Sequence, residues 1–114
     1  MAAAQTKLLF PTAQLTATTA TYYTTGANTN TIVDSAIASN GTGTNRTITV
    51  YLVPSGGTAD GTNVVIPALT VPANGDITLN RLILQAIPAG ATLQAKSDAA
   101  SAVNLRVSGR EQTT

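Results

Sequence analysis

Residues 47–58 read T-I-T-V-Y-L-V-P-S-G-G-T, a clean strand running straight into a clean turn. Ile48, Val50 and Leu52 alternate with Thr47, Thr49, Tyr51 and Val53. A period of two built from β-branched and aromatic residues suits a strand with one face buried. Pro54 has no N–H to offer a ladder, and Ser55-Gly56-Gly57 permits positive φ, so the chain must leave the sheet there. Ile48, Val50 and Leu52 are therefore expected at the centre of a core. Tyr51 is expected to face outward, and residues 54–61 to form a loop tip.

The same grammar repeats along the chain. Residues 15–25 are Thr-rich, end in Tyr22-Tyr23 and close on Gly26-Ala27-Asn28. Residues 31–39 open on β-branched Thr31, Ile32 and Val33 and run into Asn40-Gly41-Thr42-Gly43, which predicts a strand joined by a short loop to the one at 47–53. Sequential strands joined so closely are usually antiparallel neighbours, and that pairing is expected here. Val64, Val65 and Ile66 are followed by Pro67, a signature of an edge strand or one that bends. Pro72-Ala73-Asn74-Gly75 is a tight reversal in which Asn-Gly supplies the positive φ. Further strands are expected at 77–84, at 92–97 with Leu93 and Ala95 inward, and at 102–108 with Val103, Leu105 and Val107 on one face. No stretch carries helix caps and period together, so helix should be negligible.

Seven to eight short strands spaced by turn signals describe an all-β antiparallel β-sandwich, jelly-roll, Greek-key or immunoglobulin-like in topology. With 114 residues the chain is expected to form one domain over 1–114. Residues 1–10 read as an N-terminal arm and 109–114 as a polar C-terminal tail. Leu8-Leu9-Phe10 holds the single Phe and has two readings: a first strand of the domain's own sheet, or an apolar plug for a neighbouring subunit.

Composition excludes several function classes. Only 10% of residues are charged and the net charge is +1, which leaves no electrostatic footprint for nucleic acid or an anionic membrane. No apolar run approaches the roughly 20 residues of a membrane helix, and the N-terminus lacks a basic region followed by an apolar one. Synthesis and retention in the cytosol are expected. With neither Cys nor His, Ser-His-Asp and Cys-His nucleophiles and imidazole or thiolate metal sites are unavailable. Five carboxylates remain, Asp34, Asp60, Asp76, Asp98 and Glu111, spread singly along the chain. Asp60, Asp76 and Asp98 lie in or beside turns, where Asp serves backbone hydrogen bonds. No D-x-D-x-D-G calcium loop is present, and the Ser55-Gly56-Gly57-Thr58 loop lacks the Lys and helix of a phosphate cradle. The expectation is a protein with no catalytic residues, no metal and no cofactor. Tyr22 and Tyr23 are the aromatic pair on which a sugar could stack.

The segments V-Y-L-V-P-S-G-G-T, V-P-A-N-G, L-I-L-Q-A-I-P-A-G-A-T-L-Q-A-K-S and A-V-N-L-R-V-S-G-R-E together resemble small virion structural proteins of tailed bacteriophages. The likeness covers residues 22–111 and departs at Pro88–Thr92, where relatives commonly carry an acidic turn. The resemblance implies a capsid cement or decoration protein on the capsid exterior, made in the host bacterial cytoplasm, that bridges and stabilises major capsid subunits. Its implied partners are the major capsid protein and itself, as a dimer or trimer, with no nucleic acid and no membrane. Leu8, Leu9, Phe10, Tyr22, Tyr23 and Tyr51 are then the candidate capsid or subunit contacts. The alternative is a tail or fibre-associated module that binds host-surface glycan.

Overall fold

A computed structural model describes residues 5–10 and 14–113. They form nine strands and no helix: β1 (Gln5–Leu8), β2 (Ala20–Thr24), β3 (Thr29–Asn40), β4 (Arg46–Val53), β5 (Val64–Val71), β6 (Gly75–Thr78), β7 (Ala86–Ile87), β8 (Thr92–Ser97) and β9 (Val103–Thr113). One sheet has the order β1-β9-β3-β6, with β7 also on β3; the second has the order β2-β8-β4-β5. Every pairing is antiparallel. The all-β sandwich expected from the sequence is therefore the fold.

The pairing also resolves the topology. Taking β6 and β7 as two halves of one interrupted strand, the first strand pairs with the last (β1·β9), the second with the next to last (β2·β8), the third with β6 and β7, and β4 with β5. That is one long folded hairpin. Rolling it up adds β9·β3 in one sheet and β8·β4 in the other, which makes a jelly roll.

Between the sheets lies a core of small aliphatic pieces. Ile48, Val50, Leu93, Ala95, Val103, Leu105 and Val107 are buried as their alternation predicted. Phe10, Leu15, Leu79, Leu82 and Ile87 fill the remaining volume. Pro67 sits on the edge strand β5, where the register against β4 shifts and Ala68 takes a φ of 36°. An edge strand that bends is what the proline foretold. In the 72–75 turn, Gly75 N–H donates to Pro72 O at 3.1 Å and the positive φ falls on Asn74 rather than on the glycine.

Four expectations need correction. β3 and β4 are not neighbours, since they lie in different sheets. The cause is Asn40, whose buried amide donates to Thr44 O and Val71 O while its carbonyl accepts from the N–H and hydroxyl of Thr42. These bonds lock a corner that carries the chain across the sandwich. The strand expected at 77–84 stops at Thr78. Leu82 N–H bonds to Leu79 O and Gln85 N–H to Leu82 O, so turns deliver both Leu79 and Leu82 to the core, as alternation could not. Leu52 keeps the core side of β4, opposite Leu93, but is only half-buried at the margin, whereas Val53 is buried beside the 54–57 turn that folds back over it.

The chain ends are the fourth correction. Residues 5–8 of the expected arm are strand β1, and residues 109–113 of the expected tail are the second half of β9, each completing the other's ladder. Residues 1–4 of the arm and residue 114 of the tail lie outside the described residues.

β9 is thus gripped on both sides, and Gly109 shows how tightly. A Cβ there would lie 2.3 Å from Ile32 O and 2.9 Å from Leu9 Cδ1. The β3 ladder carries a bulge at this level, between Val33 and Ser35. Gly109→Ala must push β3 or β1 away and should cost about 1–3 kcal/mol, the usual cost of overpacking. Urea denaturation monitored by tyrosine fluorescence checks this; an unshifted midpoint would show that the three strands have slack.

Candidate functional site

The six residues singled out as contacts do not share a surface. Leu8 is exposed at the end of β1, but Leu9 and Phe10 are buried in the domain's own core, with Phe10 only 1% exposed. Leu9 N–H donates to Val107 O at 2.8 Å, which carries the β1–β9 ladder one residue further and turns Phe10 inward. Of the two readings of Leu8-Leu9-Phe10, the plug fails for Leu9 and Phe10 because the chain's own sandwich already occupies them. Tyr22 stacks on Phe10, ring centroids 4.4 Å apart and planes at 19°. Tyr23 is buried, and Tyr51 is half-buried on the outer side of β4 between Gln94 and Val64. The aromatic pair that could have formed a sugar platform is therefore spent on packing.

What the structure does bring together at Tyr23 is a polar cluster that spans both sheets. The Tyr23 hydroxyl, on β2, donates to Glu111 Oε2 of β9 and lies 2.8 Å from Thr31 Oγ1 of β3. Lys7 Nζ of β1 is 3.5 Å from the same Glu111 oxygen and 6.0 Å from the centroid of the Tyr23 ring. Burial, and after it the Glu111 hydrogen bond, raise the Tyr23 pKa above the ordinary 10.0. A phenol held in its neutral form with its proton committed to a carboxylate is a tie between sheets, not an activated nucleophile. Sequence reasoning missed the cluster because Lys7 and Glu111 are more than a hundred residues apart in the chain, and only the pairing of β1 and β3 with β9 brings them beside Thr31 and Tyr23.

Three of the other carboxylates are occupied one by one. Asp34 receives Arg110 Nε at 3.0 and 3.1 Å. Asp98 accepts the Thr47 N–H and faces Arg46 at 3.8 Å. Asp60 accepts the N–H and hydroxyl of Thr62, which hold its carboxyl below the ordinary value. Among the described residues no group of three or more Asp and Glu could hold a metal ion. A cleft of about 140 Å³ is lined by Leu52, Val53, Pro54, Ala86, Ile87, Pro88 and Ala91. It is smaller than ordinary small-molecule sites and offers no titratable side chain. Beside it, the Pro88–Ala91 turn seats against the 54–57 turn, with Ser55 Oγ only 2.6 Å from where a Gly90 Cβ would stand. The 54–61 tip is therefore anchored at its start.

Comparison with known proteins bears on the fold. No protein-family model matches this chain, and no curated protein does. Among solved structures, a chain in the structure of infectious bursal disease virus, Gx strain, is similar to it with a TM-score of 0.52 at 17% identity, covering 96% of this chain and 31% of that one. A chain in the structure of the Gt strain aligns with a TM-score of 0.35 at 15% identity over 96% of this chain and 28% of that one, too low for a shared fold to be read from it. This chain thus spans about a third of the length of the Gx-strain chain, and the fold it shares is one found in a virus structure.

If the Tyr23 cluster is a tie, Tyr23→Phe should lower stability at neutral pH by about 1–3 kcal/mol, since it leaves Glu111 and Thr31 short of a buried partner. The raised Tyr23 pKa favours the folded state fully below pH 10.0 and loses that contribution as pH rises through the folded value. The gap between wild type and Tyr23→Phe should therefore narrow in strong alkali. Urea titrations at neutral and alkaline pH measure it, and a gap that widens would refute the assignment.

Proposed function

We propose that this chain is a virion structural protein, and specifically a cement or decoration protein that coats the exterior of a tailed-bacteriophage capsid and bridges its major capsid subunits. The observation that carries the reading is the jelly roll itself, shared across 96% of the chain with a chain of a virus structure. Jelly rolls recur in capsids, although the fold alone also serves lectins and cupins. Three features of this chain support the narrower choice. Several of its polar side chains, among them Tyr23, Asn40, Asp34 and Asp98, are committed to internal ties and turns, which suits a role without catalysis. Its surface carries few charges to desolvate. Its exposed large apolar residues lie on four separate segments, Leu8 on β1, Ile37 on β3, Leu69 on β5 and Leu84 in the 79–85 turns.

Ile37, Leu69 and Leu84 replace Leu9, Phe10, Tyr22 and Tyr23 as the contact candidates, with Leu8 kept for its exposure and Tyr51 for its outward position. Leu84 stands out, being 71% exposed and held at a φ of 68° by its N–H bond to Val33 O. Each such side chain contributes about 1–2 kcal/mol when buried at a joint, and repetition over a lattice makes weak contacts sufficient.

The proposal is tested by counting. Mass spectrometry of purified particles against the major capsid protein should give copies in the hundreds per virion, and Ile37→Asp or Leu84→Asp should cut occupancy while leaving the melting temperature unchanged. A few copies per particle would place the chain in the tail instead, and full occupancy by both variants would free these residues of any contact role.

A further inference from the structure

The two sheets have four borders, and among the described residues three of them are spoiled for pairing. β5 carries Pro67, a positive φ at Ala68 and register shifts. β2 slips register between Thr21 and Tyr23. The fourth border of the pair is split between β6 and the two-residue β7 by the turns at 79–85. β1 differs: all four of its residues are exposed, its register against β9 is unbroken from Gln5↔Glu111 to Leu8↔Ser108, and it contains no proline.

The direction of its backbone groups follows from one bond. Leu9 N–H donates to Val107 O, so by strand alternation Lys7 and Gln5 also turn their N–H and C=O toward β9. Thr6 and Leu8 turn theirs outward, with no partner among the described residues. The usual guard on such an edge is a lysine, but Lys7 is held back by Glu111 on its own sheet and lies over the Tyr23 ring.

We propose that β1 is a self-docking edge, on which the β1 of a second copy of this chain adds antiparallel about a two-fold axis and joins the two β1-containing sheets into one. The sequence of β1 selects both partner and register. Outward hydrogen bonding requires Thr6 to pair with Thr6 or with Leu8 of the second copy. Pairing with Leu8 sets Lys7 directly against Lys7, a like-charge opposition; pairing Thr6 with Thr6 sets Lys7 against neutral Gln5 and closes two N–H···O=C bonds on the axis. A strand that is complementary to itself, with its single charge facing an amide, is suited to its own copy.

This self-docking is independent of the virion reading, because it is measured on the isolated protein and needs no capsid. Sedimentation equilibrium of the full chain should show a concentration-dependent dimer. Thr6→Pro removes an outward N–H and no intrachain bond, so it should weaken dimerisation roughly tenfold or more while the circular dichroism and melting temperature stay those of wild type. Because proline can also disturb the strand, a second variant is read alongside. Thr6→Cys places two sulfurs across the axis on Cα atoms about 5.5 Å apart, within disulfide reach, and should cross-link on mild oxidation much faster than Thr62→Cys in the distant loop. A wild type that stays monomeric at millimolar concentration, a Thr6→Pro variant that dimerises as wild type does, or equal cross-linking of the two cysteine variants would each overturn the proposal.

Discussion

The pairing of β3 with β9 is the interaction on which the rest of the sandwich depends. It runs from Thr29↔Thr113 to Asn40↔Val103 and is the longest ladder in the molecule. Its inward residues, Val33, Ala36, Ala38, Val103, Leu105 and Val107, floor the core. It also joins segments that are more than sixty residues apart, so its loop-closure cost must be met before its contacts reward it. β9 is the strand that β1 needs as a partner and that sets Glu111 beside Tyr23. Assembly of this face therefore waits on the C-terminal end of the chain.

A core with one Phe and no Trp gains little per side chain, and the fold compensates at its corners. Asn40 satisfies four partners at once and fixes the crossing from β3 to β4. Two turns, 54–57 and 88–91, close with i to i+3 bonds at 2.9 and 3.0 Å around the positive φ of Gly56 and Gly90. The 88–91 turn also returns Gly90 N–H to Thr25 O. Side chains that look like loop filler in the sequence are the ones that decide which sheet each strand joins.

That explains what was legible in the chain and what was not. Period-two alternation exposed β4, β8 and β9 and most of their inward residues, because those faces obey a local rule. Pro67 marked an edge for an equally local reason, the missing N–H. The β3–β4 connection misled because loop length says how far a chain travels and not which side of a sandwich it lands on; that was settled by Asn40 reaching Val71, thirty-one residues away. Leu79 and Leu82 sit three apart in a turn, a spacing to which a strand template is blind. Phe10 and Tyr22 look available for contact because aromatic residues are so few, but a core this poor in bulk needs them inside, and their mutual stack shows where they went. The polar site was illegible for a different reason, since Lys7, Tyr23, Thr31 and Glu111 meet only once the first and last strands have paired.

With Tyr22 and Tyr23 packed and Asp34, Asp60, Asp98 and Glu111 each bonded within the chain, few of its reactive groups are left to present. What remains outward is shape: a rigid sandwich, scattered aliphatic side chains and one regular unpaired edge. Such a surface gains little from a single contact, since low charge gives little steering and each exposed Leu or Ile little burial. The proposed binding would gain from repetition, since in a symmetric array every copy added meets the same neighbours in the same geometry. A tied polar cluster and an open strand edge fit the proposed recognition, which is carried by the backbone and by copy number rather than by a pocket.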